Sequence, residues 1–136
     1  MLVAIKNLYK ANVLLIAVLT TVLIAALSLL NIKGIQPPIE LSNIDKYEHL
    51  LAYFVLTLSW FFAVQKTGSL IGHRYLLVLF VFLYGVTMEF LQQMLTDYRI
   101  GDYYDVLANS SGILVGVVFY EFIIRQEFKE FLSSEK

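Results

Sequence analysis

The chain has 136 residues, of which 59% are hydrophobic and 15% are charged, and its formal net charge is −1. This composition is too apolar for a soluble domain of this size, so we expect an integral membrane protein. The near-neutral charge argues against a nucleic-acid binder, which would carry a basic patch. The absence of cysteine excludes disulfides, thiolate nucleophiles and thiolate metal ligands.

The first apolar segment extends from Ala11 to Leu30 without a charged residue. At about 1.5 Å per residue, it is long enough to cross roughly 30 Å of hydrocarbon. A signal peptide is the alternative, because Lys6 and Lys10 precede the segment. Its apolar run exceeds the roughly 7 to 15 residues of a signal-peptide core, however. We therefore expect a transmembrane helix over about 11–30.

Three further apolar segments follow, and each reaches spanning length only if polar residues at its ends join the helix. They predict helices over about 45–65, 75–96 and 104–124. A helix that starts at Tyr75 rises roughly 20 Å by Glu89, which places this carboxylate well inside the membrane boundary. The predicted fold is an all-α membrane protein with four transmembrane helices, in a single domain over 1–136.

The basic residues near the helix ends predict the orientation of the helices, because lysine and arginine favour the cytoplasmic side. Seven fall on one side, namely Lys6, Lys10, Lys66, Arg74, Arg125, Lys129 and Lys136. Three fall on the other, namely Lys33, Lys46 and Arg99. Both termini are therefore predicted to be cytoplasmic.

Polar residues gather at the predicted outer ends of the last three helices. On helical spacing, Asp45, His49 and Tyr53 share one face, and Glu89 and Gln93 share a face of the next helix. A third stripe contains Asp105, Asn109, Gly112 and Gly116. We expect the three stripes to converge. Because a charge inside the bilayer is costly, function should be sought where they meet.

The two glycines of the third stripe form a GxxxG pattern, Gly112 and Gly116. This pattern lets a neighbouring helix approach closely. It predicts helix packing either within the chain or in a homo-oligomer.

His49 and Glu89 are the candidate catalytic groups, because Asp45 can orient the imidazole for acid/base chemistry and Glu89 can accept a proton. The structural alternatives are a hydrogen-bonded histidine and a buried ion pair between Glu89 and Arg99. His49, Glu89 and Asp105 are acceptable ligand types for zinc, but no HExxH-like spacing exists. We therefore expect no metal and no cofactor.

Three motifs follow one another along the chain. The first, D-K-x-x-H-x-x-x-Y, is formed by Asp45, Lys46, His49 and Tyr53, and the second, E-x-x-x-Q, by Glu89 and Gln93. The third is formed by Arg99, Asp102, Asp105, Asn109, Gly112 and Gly116. In this order and spacing the chain resembles the VanZ-like family of small membrane proteins, over roughly residues 40–120.

The family is named for an accessory protein of glycopeptide-antibiotic resistance that is associated with reduced susceptibility to teicoplanin. The resemblance implies a multi-pass protein of the bacterial cytoplasmic (inner) membrane. Together with the predicted orientation, the resemblance leads us to expect an outward-facing polar site that contacts membrane lipids and acts on or binds a cell-envelope component, such as a lipid-linked cell-wall intermediate. The implied binding residues are Asp45, Lys46, Tyr53, Gln93, Arg99, Asp102, Asp105 and Asn109.

Two rival functions stay open at the level of the sequence. One is a lipid-phosphate hydrolase or transferase, in which Lys46 and Arg99 hold the phosphate. The other is a scaffold or assembly factor whose polar core only specifies packing.

The acidic residues of the polar region outnumber its basic residues. The acids are Asp45, Glu48, Glu89, Asp102 and Asp105, and the bases are Lys46 and Arg99. A bare phosphate would therefore be repelled unless the acids are protonated, paired or bridged by a cation.

Overall fold

The computed structural model of the protein describes residues 2–30, 44–65, 70–95 and 102–125. Within these ranges the helices are α1 (Leu2–Leu29), α2 (Ile44–Gln65), α3 (Leu70–Leu95) and α4 (Tyr103–Phe119). A single turn of π-helix, Tyr120–Ile124, continues α4 without a break. The described residues contain no β-strand. The predicted all-α fold is confirmed.

Each helix, with α4 taken together with its π-helical turn, contains an apolar stretch long enough to cross a membrane. The stretches are Asn12–Leu29, Ile44–Val64, His73–Leu95 and Tyr103–Ile124. Helix α2 begins at Ile44, so its polar start does complete the span. Helix α3 begins at Leu70, earlier than the predicted position 75. Four helices able to span a membrane are therefore present in the described part of the chain, while their orientation stays a prediction.

Successive residues of α2 meet successive residues of α4, so these two helices run parallel. The pairs are His49 with Asn109, Thr57 with Gly116 and Phe61 with Tyr120. Helix α3 runs in the opposite direction, because Glu89 near its end contacts Asn109 and Arg74 near its start contacts Glu121. The beginnings of α2 and α4 therefore lie at the same end of the bundle as the end of α3.

Helix α2 packs most extensively against α4. A Cβ atom on Gly112 would lie 2.2 Å from the backbone carbonyl oxygen of Leu50, and one on Gly116 would lie 3.0 Å from Cβ of Thr57. A distance of 2.2 Å is far shorter than van der Waals contact, and a backbone oxygen cannot move aside, so position 112 requires glycine. The GxxxG pattern thus serves a close contact inside the chain.

Side-chain hydrogen bonds attach α1 to α2 and α3. The indole Nε1 of Trp60 donates to Oγ1 of Thr21 at 3.0 Å, and the hydroxyl of Tyr84 donates to the carbonyl oxygen of the same threonine at 2.7 Å. The amide Nε2 of Gln92 donates to the carbonyl oxygen of Ser28 at 3.1 Å. Side-chain hydrogen bonds between helices stabilise packing where apolar surfaces gain little from leaving lipid.

Apolar side chains fill the middle of the bundle and also cover its outside. The buried cluster is Ile24, Tyr53, Leu56, Val81 and Ile113. Large apolar side chains such as Leu19, Leu83 and Leu114 are more than half exposed. An apolar outer surface suits contact with lipid chains, which agrees with the spanning length of the helices.

Candidate functional site

Polar side chains are buried at one end of this apolar bundle. The buried polar residues are His49, Thr57, Glu89, Gln92, Asp105 and Asn109. His49, Glu89, Asp105 and Asn109 meet where α2 and α4 begin and α3 ends. Together with the partly exposed Asp45, Lys46 and Asp102, we call them the polar cluster.

The starts of α2 and α4 explain how carboxylates are held at this end. Asp102 caps α4, with its Oδ1 accepting a hydrogen bond from the backbone N–H of Tyr104 at 2.9 Å. Asp45 and Asp105 lie in the first turns of α2 and α4. The unpaired N–H groups of a first helical turn carry partial positive charge, which stabilises negative side chains there. The positive ends of α2 and α4 therefore both face this end of the bundle, where the acidic side chains lie.

Asn109 connects Glu89 to His49. Its Nδ2 donates to Oε1 of Glu89 at 3.3 Å, and its Oδ1 lies 3.0 Å from Nδ1 of His49. Nδ1 also lies 3.4 Å from the same Glu89 oxygen. Both atoms near Nδ1 are acceptors, so Nδ1 carries a proton and donates it. In the neutral imidazole, the other nitrogen, Nε2, then keeps its lone pair.

Asp45 and Asp105 lie close to His49. Nε2 of His49 is 3.8 Å from Oδ1 of Asp45. One ligand atom from each of Asp45, His49 and Asp105 lies within 4.8 Å of the other two. Asp105 is only 6% exposed, and its Oδ1 is buried without a hydrogen-bond partner among the described residues. These three side chains could hold a metal ion.

The edge of the polar cluster carries a partly exposed ion pair. Nζ of Lys46 lies 3.5 Å from Oδ2 of Asp102 and 5.7 Å from the centre of the Tyr104 ring. Tyr53 lies one helical turn deeper than His49, is 2% exposed and contacts Gly85. The charged groups of this edge are accessible from outside the bundle, whereas Tyr53 belongs to its interior.

The structure brings together most of the residues expected to form a site. These are Asp45, Lys46, His49, Glu89, Asp102, Asp105 and Asn109. Gln93 is exposed, and its neighbour Gln92 is buried and bonded to α1. Arg99 lies outside the described residues, so its pairing with Glu89 stays a prediction.

Gln92 and Thr57 are buried polar residues that the motif analysis did not select. Gln92 follows Glu89 by three positions, a spacing that shares a helix face as well as a spacing of four does. Thr57 extends the four-residue spacing of His49 and Tyr53 by one more turn. Its hydroxyl donates to the Tyr53 carbonyl oxygen at 2.7 Å, so it is satisfied within α2. Helical spacing could have indicated both residues.

The fold and the polar cluster define the protein as a helical membrane protein with ionisable groups buried at one end of its bundle. A sequence model of the VanZ/LLP1 family matches residues 4–125. The match covers most of the chain, which therefore belongs to this family, as the three motifs indicated. No curated protein and no solved structure matches the chain.

Proposed function

We propose that this protein binds a lipid-linked cell-wall intermediate, or another envelope component, at the polar cluster and thereby lowers sensitivity to teicoplanin. The observation that carries the proposal is the burial of His49, Glu89, Asp105 and Asn109 together at one end of a largely apolar bundle. Ionisable groups at membrane depth are costly, and such groups usually mark a site of function.

The edge of the polar cluster supports binding of a lipid head group. The side chains of Asp45, Lys46 and Asp102 are each about one-third exposed. Lys46 provides a cation for a phosphate, while the carboxylates can accept hydrogen bonds from sugar hydroxyls or amines. A lipid-linked wall intermediate combines these groups in one molecule. The buried layer beneath would hold this edge in place.

The predicted orientation supports an outward-facing site, because the more basic side of the chain is the one opposite to the polar cluster. Cysteines introduced one at a time at Ser69 and Asp97 of this cysteine-free chain should react with a membrane-impermeant reagent on opposite sides. We expect Asp97→Cys to be labelled in intact cells and Ser69→Cys only after lysis. The reverse pattern would place the polar cluster on the cytoplasmic side and contradict the proposal.

The functional test is expression in a teicoplanin-susceptible Gram-positive host. We expect the minimal inhibitory concentration of teicoplanin to rise and that of vancomycin to change much less. Glu89→Gln and Asp105→Asn should abolish the rise, because both retain side-chain volume and remove only charge. Glu121→Gln makes the same chemical change at the other end of the bundle and should keep the wild-type effect.

Protein abundance in the membrane separates function from packing. Loss of the phenotype with normal abundance of Glu89→Gln and Asp105→Asn would support a binding site. Loss of the protein itself in both variants would favour a polar core that only specifies packing. An abundant wild-type protein with no change in teicoplanin sensitivity or in lipid-linked intermediates would overturn the proposal.

A further inference from the structure

We infer that Asp45, His49 and Asp105 bind a divalent transition-metal cation, of which Zn²⁺ and Mn²⁺ are the two suitable probes. Their ligand atoms lie within 4.8 Å of one another. Ligands held at roughly 2.0 to 2.6 Å from a single ion lie up to about 4 to 5 Å apart, so one ion can reach all three groups. This inference goes beyond the envelope function and does not depend on it.

Asp105 provides the observation that points most directly to a bound cation. Its side chain is 6% exposed, and Oδ1 has no hydrogen-bond partner within the described residues. A buried polar atom without a partner costs free energy, and the cost is larger for a charged group. A cation between Asp105, His49 and Asp45 would give this oxygen an interaction partner.

The surroundings of His49 prepare it as a metal ligand. Glu89 accepts from the amide of Asn109, which turns Oδ1 of Asn109 towards Nδ1 of His49. A proton on Nδ1 leaves the lone pair on Nε2, the nitrogen that is 3.8 Å from Oδ1 of Asp45. Histidines that bind metals commonly donate their other N–H to an oxygen in this way. Glu89 and Asn109 thus orient the imidazole and need not touch the ion.

Charge also favours a cation. The polar cluster contains four carboxylates, those of Asp45, Glu89, Asp102 and Asp105, and one lysine, Lys46. A divalent ion would reduce the repulsion between the carboxylates, which is strong where little water screens it. One imidazole with two carboxylates suits zinc or manganese better than it suits soft copper(I), which prefers sulfur ligands.

The test is metal binding by the full chain, purified in detergent and treated with a chelator. Titration with Mn²⁺, followed by the electron paramagnetic resonance signal of the free ion, should show saturable binding at one site per chain. Calorimetric titration with Zn²⁺ should give the same stoichiometry. The metal should also raise the temperature of unfolding, because it binds only the folded state.

Substitutions identify the ligands. His49→Gln, Asp105→Asn and Asp45→Asn should each weaken metal affinity more than tenfold, because loss of a ligand costs at least as much as the roughly 10- to 100-fold typical of outer-shell changes. Asn109→Ala, which changes a residue that orients His49, should weaken metal affinity by roughly 10- to 100-fold. The matched controls are His73→Gln and Glu121→Gln, which remove the other histidine and an acid at the other end of the bundle and should keep wild-type affinity.

Two results would overturn the inference. One is no saturable binding of either ion by the wild-type chain, and the other is unchanged affinity in the three ligand variants. Asp45 is partly exposed, so Asp45→Asn decides the matter if a variant of a buried ligand fails to fold. Binding is measured without an envelope, so a missing teicoplanin phenotype and a missing metal site are distinguishable.

Discussion

The two ends of the bundle both carry charged side chains, but they neutralise them differently. At one end, Glu121 contacts two arginines, Arg74 through Oε1 and Arg125 through Oε2, the latter at 2.8 Å. At the other end, the polar cluster is rich in carboxylates, and Oδ1 of Asp105 has no hydrogen-bond partner among the described residues. The arginine end pairs its acid with its own arginines and leaves only Nε of Arg74, a donor, without a hydrogen-bond partner among the described residues. The polar cluster instead leaves a carboxylate oxygen without one, so it has capacity for a cation.

The two ends of the bundle also differ in how deeply their charged side chains are buried. The side chains of Arg74, Glu121 and Arg125 are 19%, 24% and 33% exposed. Those of His49 and Glu89 are each 9% exposed. Partly exposed ion pairs contribute little to stability, whereas buried polar networks are costly to break. Substitutions that disturb the polar cluster should therefore have the larger effects.

The largest effect is expected from Gly112→Ala, which acts on the contact between α2 and α4 beside the polar cluster. The added Cβ would meet the backbone of Leu50, so the helices must separate. Overpacking costs about 1 to 3 kcal/mol, and an immovable backbone neighbour predicts a loss of about 3 kcal/mol. The measurement is unfolding of the purified protein in detergent.

Gly116→Ala is the matched control, since its Cβ would meet Cβ of Thr57 at 3.0 Å and the backbone oxygen of Phe54 at 3.3 Å, both less tight than the contact at Gly112. We expect a smaller loss of about 1 kcal/mol, at the low end of the overpacking range. Equal losses for the two alanine variants would contradict the tight approach at Gly112.

An intermediate effect is expected for the coupling between His49 and Asn109. A double-mutant cycle with His49→Gln and Asn109→Ala should give a coupling free energy of about 1 to 2 kcal/mol, because the two side chains are buried and hydrogen-bonded. The same cycle for Glu121 and Arg125 should give about 0.5 kcal/mol or less, as for exposed pairs four residues apart on a helix. A coupling at the arginine end that matches the one in the cluster would remove the contrast between the two ends.

The smallest effect concerns two neighbouring glutamines near the polar cluster. Gln92→Leu should cost about 1 kcal/mol, because it removes the hydrogen bond from α3 to the Ser28 carbonyl of α1. Gln93→Leu should change the free energy of unfolding little, since Gln93 is exposed. Thermal unfolding in detergent measures both. A larger loss for Gln93→Leu would show that α3 is rotated relative to this structure.

The sequence by itself determined the number of spans and the kind of fold. Apolar length is a property of a linear segment, and it is enough to predict a membrane helix. Helical spacing, and the alternating direction of helices joined by short loops, were enough to place four polar residues at one end of the bundle, namely Asp45, His49, Asp105 and Asn109. These features can be predicted from the sequence because bilayer thickness and helical rise depend little on tertiary contacts.

Only the tertiary structure decided which neighbours meet. Spacing alone could not tell which of Gln92 and Gln93 is buried, because burial depends on how α3 is rotated about its axis relative to α1. Spacing also could not show that the GxxxG pattern of α4 packs against α2. That contact is seen only from the position of the Leu50 backbone next to Gly112. Residue type named His49, Glu89 and Asp105 as acceptable ligands but predicted no metal, whereas the structure places one ligand atom each of Asp45, His49 and Asp105 within 4.8 Å of one another. Helix rotation and approach are set by packing across the bundle, and no linear pattern contains that information.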